Sequence, residues 1–215
     1  MGRPKLLLPW GGTTVLGQVL QNVRHSRVGW IVVVTGCGAA EVAAEAQAIG
    51  VATVYNADWA SGMTSSLRAG LRALLEAQAR AQLEAVSAAF VVLADQPMVG
   101  PEVYDALIAA FAESVADPDA EADRATIGPN RADRIIVPVA RGRRGNPVLF
   151  GAAFFDEILM LPAESAPRSI VERHPDAVES LAVLSEGTLF DLDDPNEYER
   201  WSRSHGVRVT GSRAV

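Results

Sequence analysis

Residues 30–55, WIVVVTGCGAAEVAAEAQAIGVATVY, decide the fold, because they contain a strand, a helix and a second strand in succession. Residues 30–34 are a short, largely β-branched run that ends at Thr35 and Gly36, and such runs are typical of buried parallel strands. Residues 39–49 have a helical composition and end at Gly50, a residue type that commonly closes helices. Residues 51–55 indicate the next strand. Two strands joined through a helix predict a parallel β-α-β unit.

The same alternation continues beyond this unit. Residues 61 to about 82 indicate a long helix with an apolar face, residues 88–93 a buried strand, and residues 101–115 a helix that starts with proline. The apolar face of the long helix comprises Leu67, Leu71, Leu74 and Leu75. The order β-α-β-α-β-α predicts an α/β fold with a doubly wound, mostly parallel sheet.

The second half of the chain predicts shorter elements, after a polar insertion. Residues 117–133 (DPDAEADRATIGPNRAD) are polar and acidic and predict a surface insertion. Beyond them we expect strands at 135–139 and 147–150 joined by a basic loop at 141–145, helices at 152–161 and 169–173, late strands at 178–184 and 189–192, and a last helix at 195–204. We therefore predict a single domain over residues 1–206 and a weakly ordered tail over residues 207–215.

Composition limits the classes of function. The chain has 215 residues, 49% of them hydrophobic, and a net charge of −7, which argues against a broad nucleic-acid or membrane surface. No run approaches the roughly 20 apolar residues of a spanning helix, and the N-terminus lacks the layout of a signal peptide. The single cysteine, Cys37, excludes an internal disulfide framework and indicates a reducing compartment. We expect a soluble, cytoplasmic protein.

Two loops have the composition of an anion site. Gly2, Arg3 and Lys5 lie close together near the N-terminus, where backbone N–H groups and cations suit a phosphate; a solvated terminus has the same composition. Residues 61–67, SGMTSSL, begin the long helix, where their hydroxyls either cap the helix or hold an anion.

Two further loops carry carboxylates at predicted sheet edges, where α/β folds bind ligands. Asp95 directly follows the strand at 88–93, so that it either holds Mg²⁺, which prefers oxygen ligands, or caps the following turn. Residues 191–195, DLDDP, place three carboxylates within four residues. Asp194 before Pro195 is a natural N-cap, and Asp193 is the candidate second metal ligand.

Weaker candidates keep two interpretations each. Arg141, Arg143 and Arg144 form a basic loop that either clamps phosphates or is simply solvated. His174, beside Pro175, is either a base or an ordinary helix-end residue. Cys37, after a strand and between glycines, is either a reactive thiol or a small turn residue, and the absence of a nearby histidine in the sequence favours the turn residue.

Taken together, five stretches resemble the nucleotidyltransferases of molybdenum cofactor synthesis, and more closely their cytidylyltransferase branch. In order they are 1–16 (MGRPKLLLPWGGTTVL), 56–71 (NADWASGMTSSLRAGL), 91–99 (VVLADQPMV), 144–150 (RGNPVLF) and 190–199 (FDLDDPNEYE). The resemblance implies a Rossmann-like nucleotidyltransferase fold of the GT-A-like type. It also implies transfer of CMP from CTP to the terminal phosphate of molybdopterin, with Mg²⁺ as cofactor and release of pyrophosphate.

The resemblance also implies roles for single residues. Lys5 and Asp95 would be catalytic, and Asp95 and Asp193 would bind the metal. The nucleotide-binding residues would be Gly2, Arg3, Lys5, Gly62, Met63 and Ser66, and the substrate-binding residues Asn146, Glu164, Arg168 and His174. Related guanylyltransferases have Gly-Pro-Leu-Ala-Gly in place of residues 62–66 and Asp-Lys in place of Pro4-Lys5, and both differences favour cytidine.

Two departures from the family pattern leave alternatives open. Family members begin with a strand and a Leu-Ala-Ala-Gly-x-Ser-x-Arg loop before Met-Gly, whereas this sequence begins at Met-Gly; a late start, a truncation or a loss of catalysis each explains this. Residues 163–168 lack the family's glycines but keep Glu164 and Arg168. The alternatives are a guanylyltransferase or other nucleotidyltransferase of the same fold, and a catalytically degenerate protein that delivers the cofactor to a molybdenum hydroxylase.

Overall fold

Strands alternate with helices along the chain, as the sequence predicts. The computed structural model describes residues 4–80, 85–113, 131–192, 198–199 and 201. The strands are β1 (Pro9–Trp10), β2 (Thr13–Thr14), β3 (Val32–Thr35), β4 (Ala52–Tyr55), β5 (Ala88–Val91), β6 (Ile135–Ala140), β7 (Arg143–Arg144), β8 (Val148–Gly151) and β9 (Val178–Ala182). The helices are α1 (Val15–Arg24), α2 (Ala39–Ala48), α3 (Met63–Ala79), α4 (Pro101–Ala112), α5 (Phe155–Met160) and α6 (Arg168–Arg173).

The main strands form two groups. β3 and β4 pair in parallel, from Val32 opposite Ala52 to Thr35 opposite Tyr55. The other group has the order β5-β8-β6-β7, with β9 on the second edge of β6. Because β8 is antiparallel to both β5 and β6, and β9 is parallel to β6, strands β5, β6 and β9 share one direction. The prediction of an α/β fold with a mostly parallel sheet is confirmed, while β8 and the two-residue strand β7 run antiparallel to β6.

The two groups do not pair with each other within the described residues. β3 pairs only with β4, and β5 pairs only with β8, so one edge of each strand has no neighbour among the described strands. The side chains of β3 and β5 are half-buried, except that of Thr35, which is buried. Short apolar strands of this kind are usually covered on both faces of the sheet.

Helices cover both faces of the larger sheet, as a doubly wound fold requires. Ile136 of β6 packs into a cluster with Leu107 of α4 and Val19 of α1. Its neighbours Ile135 and Val137 point to the other face and pack with Leu71 of α3 and with residues of α5 and α6. The predicted apolar face of the long helix is therefore part of the core.

Helix α1 is the one described α-helix that the sequence analysis did not identify, and the two-residue strands β1, β2 and β7 were not identified either. Thr14 caps it, since its side chain accepts a hydrogen bond from the Gly17 backbone N–H at 2.9 Å. Buried residues follow at helical spacing, namely Val15, Leu16, Val19, Leu20 and Val23. One side of α1 packs on α4 and the other on α2. The capping threonine and this spacing are the signals by which the helix could have been found.

Residues 189–192 do not form the expected strand. A 3₁₀ turn covers Glu186–Leu189, and the chain then continues without regular structure to Leu192. The segment packs closely on the turn after Asp95, because a Cβ placed on Gly187 would lie 2.5 Å from the Met98 carbonyl oxygen. Tertiary contact therefore replaces strand pairing here.

Arg134 joins the end of α4 to the start of β6. Its Nη1 donates to the carbonyl oxygens of Ala110, Phe111 and Glu113 at 2.8 to 3.1 Å, and its Nη2 pairs with the Glu179 carboxylate. Arg134 is itself buried. A cation at the carboxyl end of a helix satisfies carbonyls that have no partner within the helix.

Several expectations fall wholly or partly outside the described residues. Of the expected insertion at 117–133, only Arg131–Asp133 is described, and it forms a 3₁₀ turn. The tail at 207–215 lies outside, and of the last helix only residues 198, 199 and 201 are described, all helical. The single domain over residues 1–206 stays a prediction. None of the helices in the described ranges is both long and apolar enough to span a membrane.

Candidate active site

Lys5 and Asp95 form an ion pair although 90 residues separate them in sequence. Lys5 Nζ lies 2.7 Å from Asp95 Oδ2, and the two side chains are 33% and 20% exposed. Asp95 follows the carboxyl end of β5, the edge at which α/β sheets bind ligands. The structure therefore brings together, within reach of solvent, the two residues that the sequence analysis predicts to be catalytic.

Helix α1 holds the turn that contains Asp95. The Asn22 carboxamide donates to the carbonyl oxygens of Pro97 and Val99, both at 2.9 Å, and accepts a hydrogen bond from Gln18 at 2.8 Å. Both the amide nitrogen and the amide oxygen of Asn22 therefore have hydrogen-bond partners. Asn22 was not singled out in the sequence, since an asparagine within an unrecognised helix gives no signal of a contact 75 residues away.

The segment before Asp193 also reaches this turn. Leu192 donates its backbone N–H to the Asp95 carbonyl oxygen at 3.2 Å. Asp193, the predicted second metal ligand, lies outside the described residues, as do Gly2 and Arg3.

A 3₁₀ turn, Lys5–Leu7, positions the lysine. The Leu7 N–H donates to the Pro4 carbonyl oxygen at 2.9 Å, and Leu6 packs against the cluster that contains Leu16 and Leu20 of α1. Lys5 and the Asp95 turn therefore both rest on the same helix, which fixes their separation.

Asn56 organises the loop that precedes α3. The buried Asn56 carboxamide donates to Ser65 Oγ at 2.8 Å and to Ser66 Oγ at 3.1 Å, and its oxygen accepts the Asp58 N–H. Ser65 Oγ lies within hydrogen-bond distance of the Gly62 carbonyl oxygen, at 2.8 Å. Asn56 was quoted in the sequence only as part of a longer motif, and its place directly after β4 is the signal of its role.

The three predicted nucleotide-side residues of this loop differ in exposure. Gly62 has φ 110°, a backbone conformation that glycine adopts without strain, and it allows the chain to turn into α3. Met63 is 53% exposed, whereas Ser66 is half-buried. Met63 is thus the side chain of the three that is most open to a ligand.

The predicted substrate-side residues have partners in different segments of the chain. The Asn146 backbone N–H donates to the Thr188 carbonyl oxygen at 2.9 Å, and Glu164 is exposed. Arg168 is exposed and pairs with Glu172 at 2.8 Å, one turn along α6.

His174 takes part in an ion-pair cluster with Glu157. His174 Nε2 lies 2.7 Å from Glu157 Oε2, while Arg173 donates to Glu157 Oε1. Burial raises the pKa of Glu157, but the hydrogen bonds and charges of Arg173 and His174 outweigh this and hold the pKa below its ordinary value of 4.5. The His174 ring also packs edge-on against Phe154, at 5.1 Å between ring centroids.

The donor set at Asp95 is compatible with a divalent cation shared with a nucleotide. Within the described residues no group of three or more His, Cys, Asp or Glu side chains could hold a metal. Mg²⁺ is usually bound by one or two carboxylates together with substrate phosphates, and Asp95 supplies one such carboxylate, beside a cation that suits phosphate.

Comparison with known proteins gives one family and many similar folds. The family model described as MobA-like NTP transferase domain matches residues 1–178. No match is found among curated proteins.

Three solved structures illustrate the structural similarity. Rv0371c from Mycobacterium tuberculosis H37Rv is 26% identical, with a TM-score of 0.69 over 94% of this chain and 91% of that one. Its complex with manganese is 24% identical, with a TM-score of 0.66 over 94% and 93%. CMP:2-keto-3-deoxy-manno-octonic acid synthetase complexed with CTP is 14% identical, with a TM-score of 0.63 over 94% and 91%.

Proposed function

The chain belongs to the MobA-like NTP transferase domain family, and from this premise we propose that it transfers CMP from CTP to the terminal phosphate of molybdopterin, releasing pyrophosphate. At the coarser level it is a nucleotidyltransferase of the MobA-like and cytidylyltransferase fold. The observation that carries the proposal is the 2.7 Å ion pair between Lys5 and Asp95 at the carboxyl end of β5. A carboxylate beside an ammonium group, partly open to solvent, suits a metal-bound triphosphate.

The reaction in this proposal is an in-line displacement. An oxygen of the acceptor phosphate forms a bond to the α-phosphorus of CTP, the bond from that phosphorus to the bridging oxygen breaks, and pyrophosphate leaves. Asp95 and Asp193 would hold Mg²⁺, which neutralises charge on the triphosphate when bound. Lys5, with Arg3 and the Gly2 backbone, would bind the phosphates and stabilise the developing negative charge.

The remaining predicted residues would orient the two substrates. Gly62, Met63 and Ser66 would contact the nucleotide on its base side. The hydrogen bond from Asn56 to Ser66 would hold this loop in place. Asn146, Glu164, Arg168 and His174 would lie on the acceptor side. Because Arg168 and His174 already pair with carboxylates, acceptor binding there would require them to exchange partners. Correct orientation alone lowers the barrier of such a reaction substantially.

Two observations support parts of this assignment. The manganese complex of a similar protein supports use of a divalent cation, and the CTP complex of another supports a cytidine nucleotide on this fold. We also propose a cytoplasmic location, as the single cysteine favours a reducing compartment. A molybdenum hydroxylase would be the recipient of the product.

The proposal is tested by supplying molybdopterin, Mg²⁺ and each NTP in turn and measuring pyrophosphate release together with the mass of the product. We expect turnover with CTP and a product heavier by one CMP. Asp95→Ala should lower turnover by orders of magnitude with the fold intact. Asp105→Ala is a matched control, because Asp105 also pairs with a cationic side chain, that of Arg27, but lies on α4.

Other outcomes lead to different conclusions. Turnover with GTP would make the chain a guanylyltransferase, and CTP turnover only with a phosphate acceptor other than a pterin would change the substrate. Binding of molybdopterin without pyrophosphate release would favour cofactor delivery. Near-normal turnover of the Asp95→Ala variant would remove Asp95 from the metal site.

A further inference from the structure

The first two turns of α3 contact a distant loop of the chain. We call residues 58–66 the nucleotide-side loop and residues 162–168 the acceptor-side loop. Thr64 and Arg68 are four residues apart on α3, so they lie on one face of the helix. Both donate hydrogen bonds to backbone carbonyls at or next to the acceptor-side loop.

Thr64 makes an unusual contact for a hydroxyl in the first turn of a helix. Such hydroxyls commonly bond to backbone groups of their own helix end. Thr64 is only 1% exposed, and its Oγ1 donates instead to the carbonyl oxygen of Ser165, 101 residues later in the chain. Because the Thr64 side chain is buried, removing its hydroxyl would take from the half-buried Ser165 the hydrogen bond that joins it to α3.

Arg68 supports the other end of the same loop. Its Nη1 donates to the Leu161 carbonyl oxygen at 3.0 Å. Leu161 directly follows α5, so its carbonyl is one that the helix itself leaves without a partner. The turn between these two contacts is closed by the Ser165 N–H, which donates to the Pro162 carbonyl oxygen at 3.1 Å. The turn is therefore held at both ends from α3.

The backbones of the two loops also lie against each other. A Cβ placed on Gly62 would be 3.6 Å from the carbonyl oxygen of Ala163, which is ordinary van der Waals contact. The nucleotide-side loop is itself fixed to α3, because Ser65 Oγ donates to the Asp58 carbonyl oxygen at 3.0 Å and Asn56, just before the loop, donates to Ser65 and Ser66. One helix start therefore determines the position of both loops.

We propose that Thr64 and Arg68 are positioning residues that fix the acceptor-side loop against the nucleotide-side loop and thereby set the distance between acceptor phosphate and nucleotide. This inference rests on the proposed function for the identity of the two substrates. Neither side chain needs to touch a substrate. In-line transfer is sensitive to placement, and a displacement of about 1 Å lowers rates about 100-fold.

The test compares three variants of the whole chain. Thr64→Val keeps the shape and removes the donor, whereas Thr64→Ser keeps the hydroxyl. We expect Thr64→Val to lower kcat/KM for molybdopterin about 10- to 100-fold, because a loop displaced by up to about 1 Å places the acceptor phosphate wrongly, while KM for CTP changes less than about twofold. Thr64→Ser should restore most of the loss. Ser26→Ala is the control, because it also removes a side-chain hydroxyl, but one that donates to the Val23 carbonyl oxygen at 2.6 Å, outside both loops.

A second readout does not depend on turnover. Hydrogen–deuterium exchange of the substrate-free protein should become faster at residues 161–167 in Thr64→Val and stay unchanged around Asp95. Arg68→Met should reproduce the same pattern through a different contact, which covers the case in which Thr64→Val does not fold.

Each result decides the inference. An active wild type whose Thr64→Val variant keeps its kinetic constants, or loses affinity for both substrates equally with exchange faster throughout the chain, would overturn it. If the wild type transfers no nucleotide at all, the proposed function fails. Hydrogen–deuterium exchange then tests by itself whether Thr64 fixes the acceptor-side loop. Acceleration confined to residues 161–167 supports that coupling, and unchanged exchange refutes it.

Discussion

Replacing Lys5 by methionine should tighten the binding of a divalent cation to the nucleotide-free protein. The ammonium group lies 2.7 Å from Asp95 Oδ2, so an incoming cation must displace it or bind beside a like charge. Methionine keeps much of the length and apolar volume of the side chain and removes its charge. The same change should slow nucleotide transfer, because Lys5 is proposed to bind the phosphates.

The magnitude follows from the partial burial of the pair. Fully exposed ion pairs contribute about 0 to 1 kcal/mol, whereas unit charges 4 Å apart near a protein surface interact by up to about 4 kcal/mol before desolvation is counted. With side chains 33% and 20% exposed, the pair lies between these cases, and we expect about 1 to 2 kcal/mol. This corresponds to an affinity for Mn²⁺ that is about 5 to 30 times higher.

Free Mn²⁺ is measured by its electron paramagnetic resonance signal during titration of the protein without nucleotide. Asp95→Asn should weaken binding whether or not Lys5 is present. Arg27→Met, which removes a guanidinium 3.7 Å from Asp105, is the charge-matched control and should leave the affinity unchanged. An unchanged or weaker affinity in Lys5→Met would refute the reasoning, since the ammonium group would then not act on the cation.

Three further outcomes are expected. Arg134→Met should lower the free energy of unfolding by about 3 kcal/mol, because three helix carbonyls lose a buried cation; urea denaturation measures this, and a loss below about 1 kcal/mol would contradict it. Asn22→Leu should reduce the rate of nucleotide transfer while the protein stays folded, because the Asp95 turn loses its two hydrogen bonds to α1. Pyrophosphate release measures this, and equal turnover in variant and wild type would show that Asn22 does not position the turn. The pKa of Glu157 is lowered by Arg173 and His174, so its contribution to stability is present above the ordinary value of 4.5 and is lost as pH falls through the lowered value. Thermal unfolding of Glu157→Gln between about pH 3 and pH 6 should therefore depend less on pH than that of the wild type, and identical pH profiles would contradict this.

Local patterns in the sequence were sufficient to identify the repeating elements. The run at residues 30–34 and the leucines of α3 predicted a strand and an apolar helix face because burial selects those residue types at those spacings. Asp95 was found for the same reason, as a carboxylate that directly follows a buried strand. The first helix was missed because its short capped start followed a glycine-rich segment and was read as part of the N-terminal motif.

Contacts between distant segments could not be found in this way. The bonds from Thr64 to Ser165 and from Asn22 to Pro97 depend on how helices pack, and no periodicity reports them. The pairing of His174 with Glu157 likewise joins two short helices. For this reason the sequence alone could not decide whether His174 is a base or an ordinary helix-end residue. Residues 189–192 have strand composition, but their backbone contact is with the Asp95 turn, through the Leu192 N–H, and not with a neighbouring strand among the described residues.

The contacts of Arg134 have a practical consequence for labelling the protein. These contacts hold residues 113 and 134 together, so the two described ends of the intervening segment lie side by side. β5 and β6 run in the same direction. Arg134 comes before β6 and Asp95 comes after β5, so the two residues lie at opposite ends of the strands. A fluorophore, an affinity tag or a whole reporter domain inserted between residues 114 and 130 would therefore be joined to the fold at points remote from Asp95.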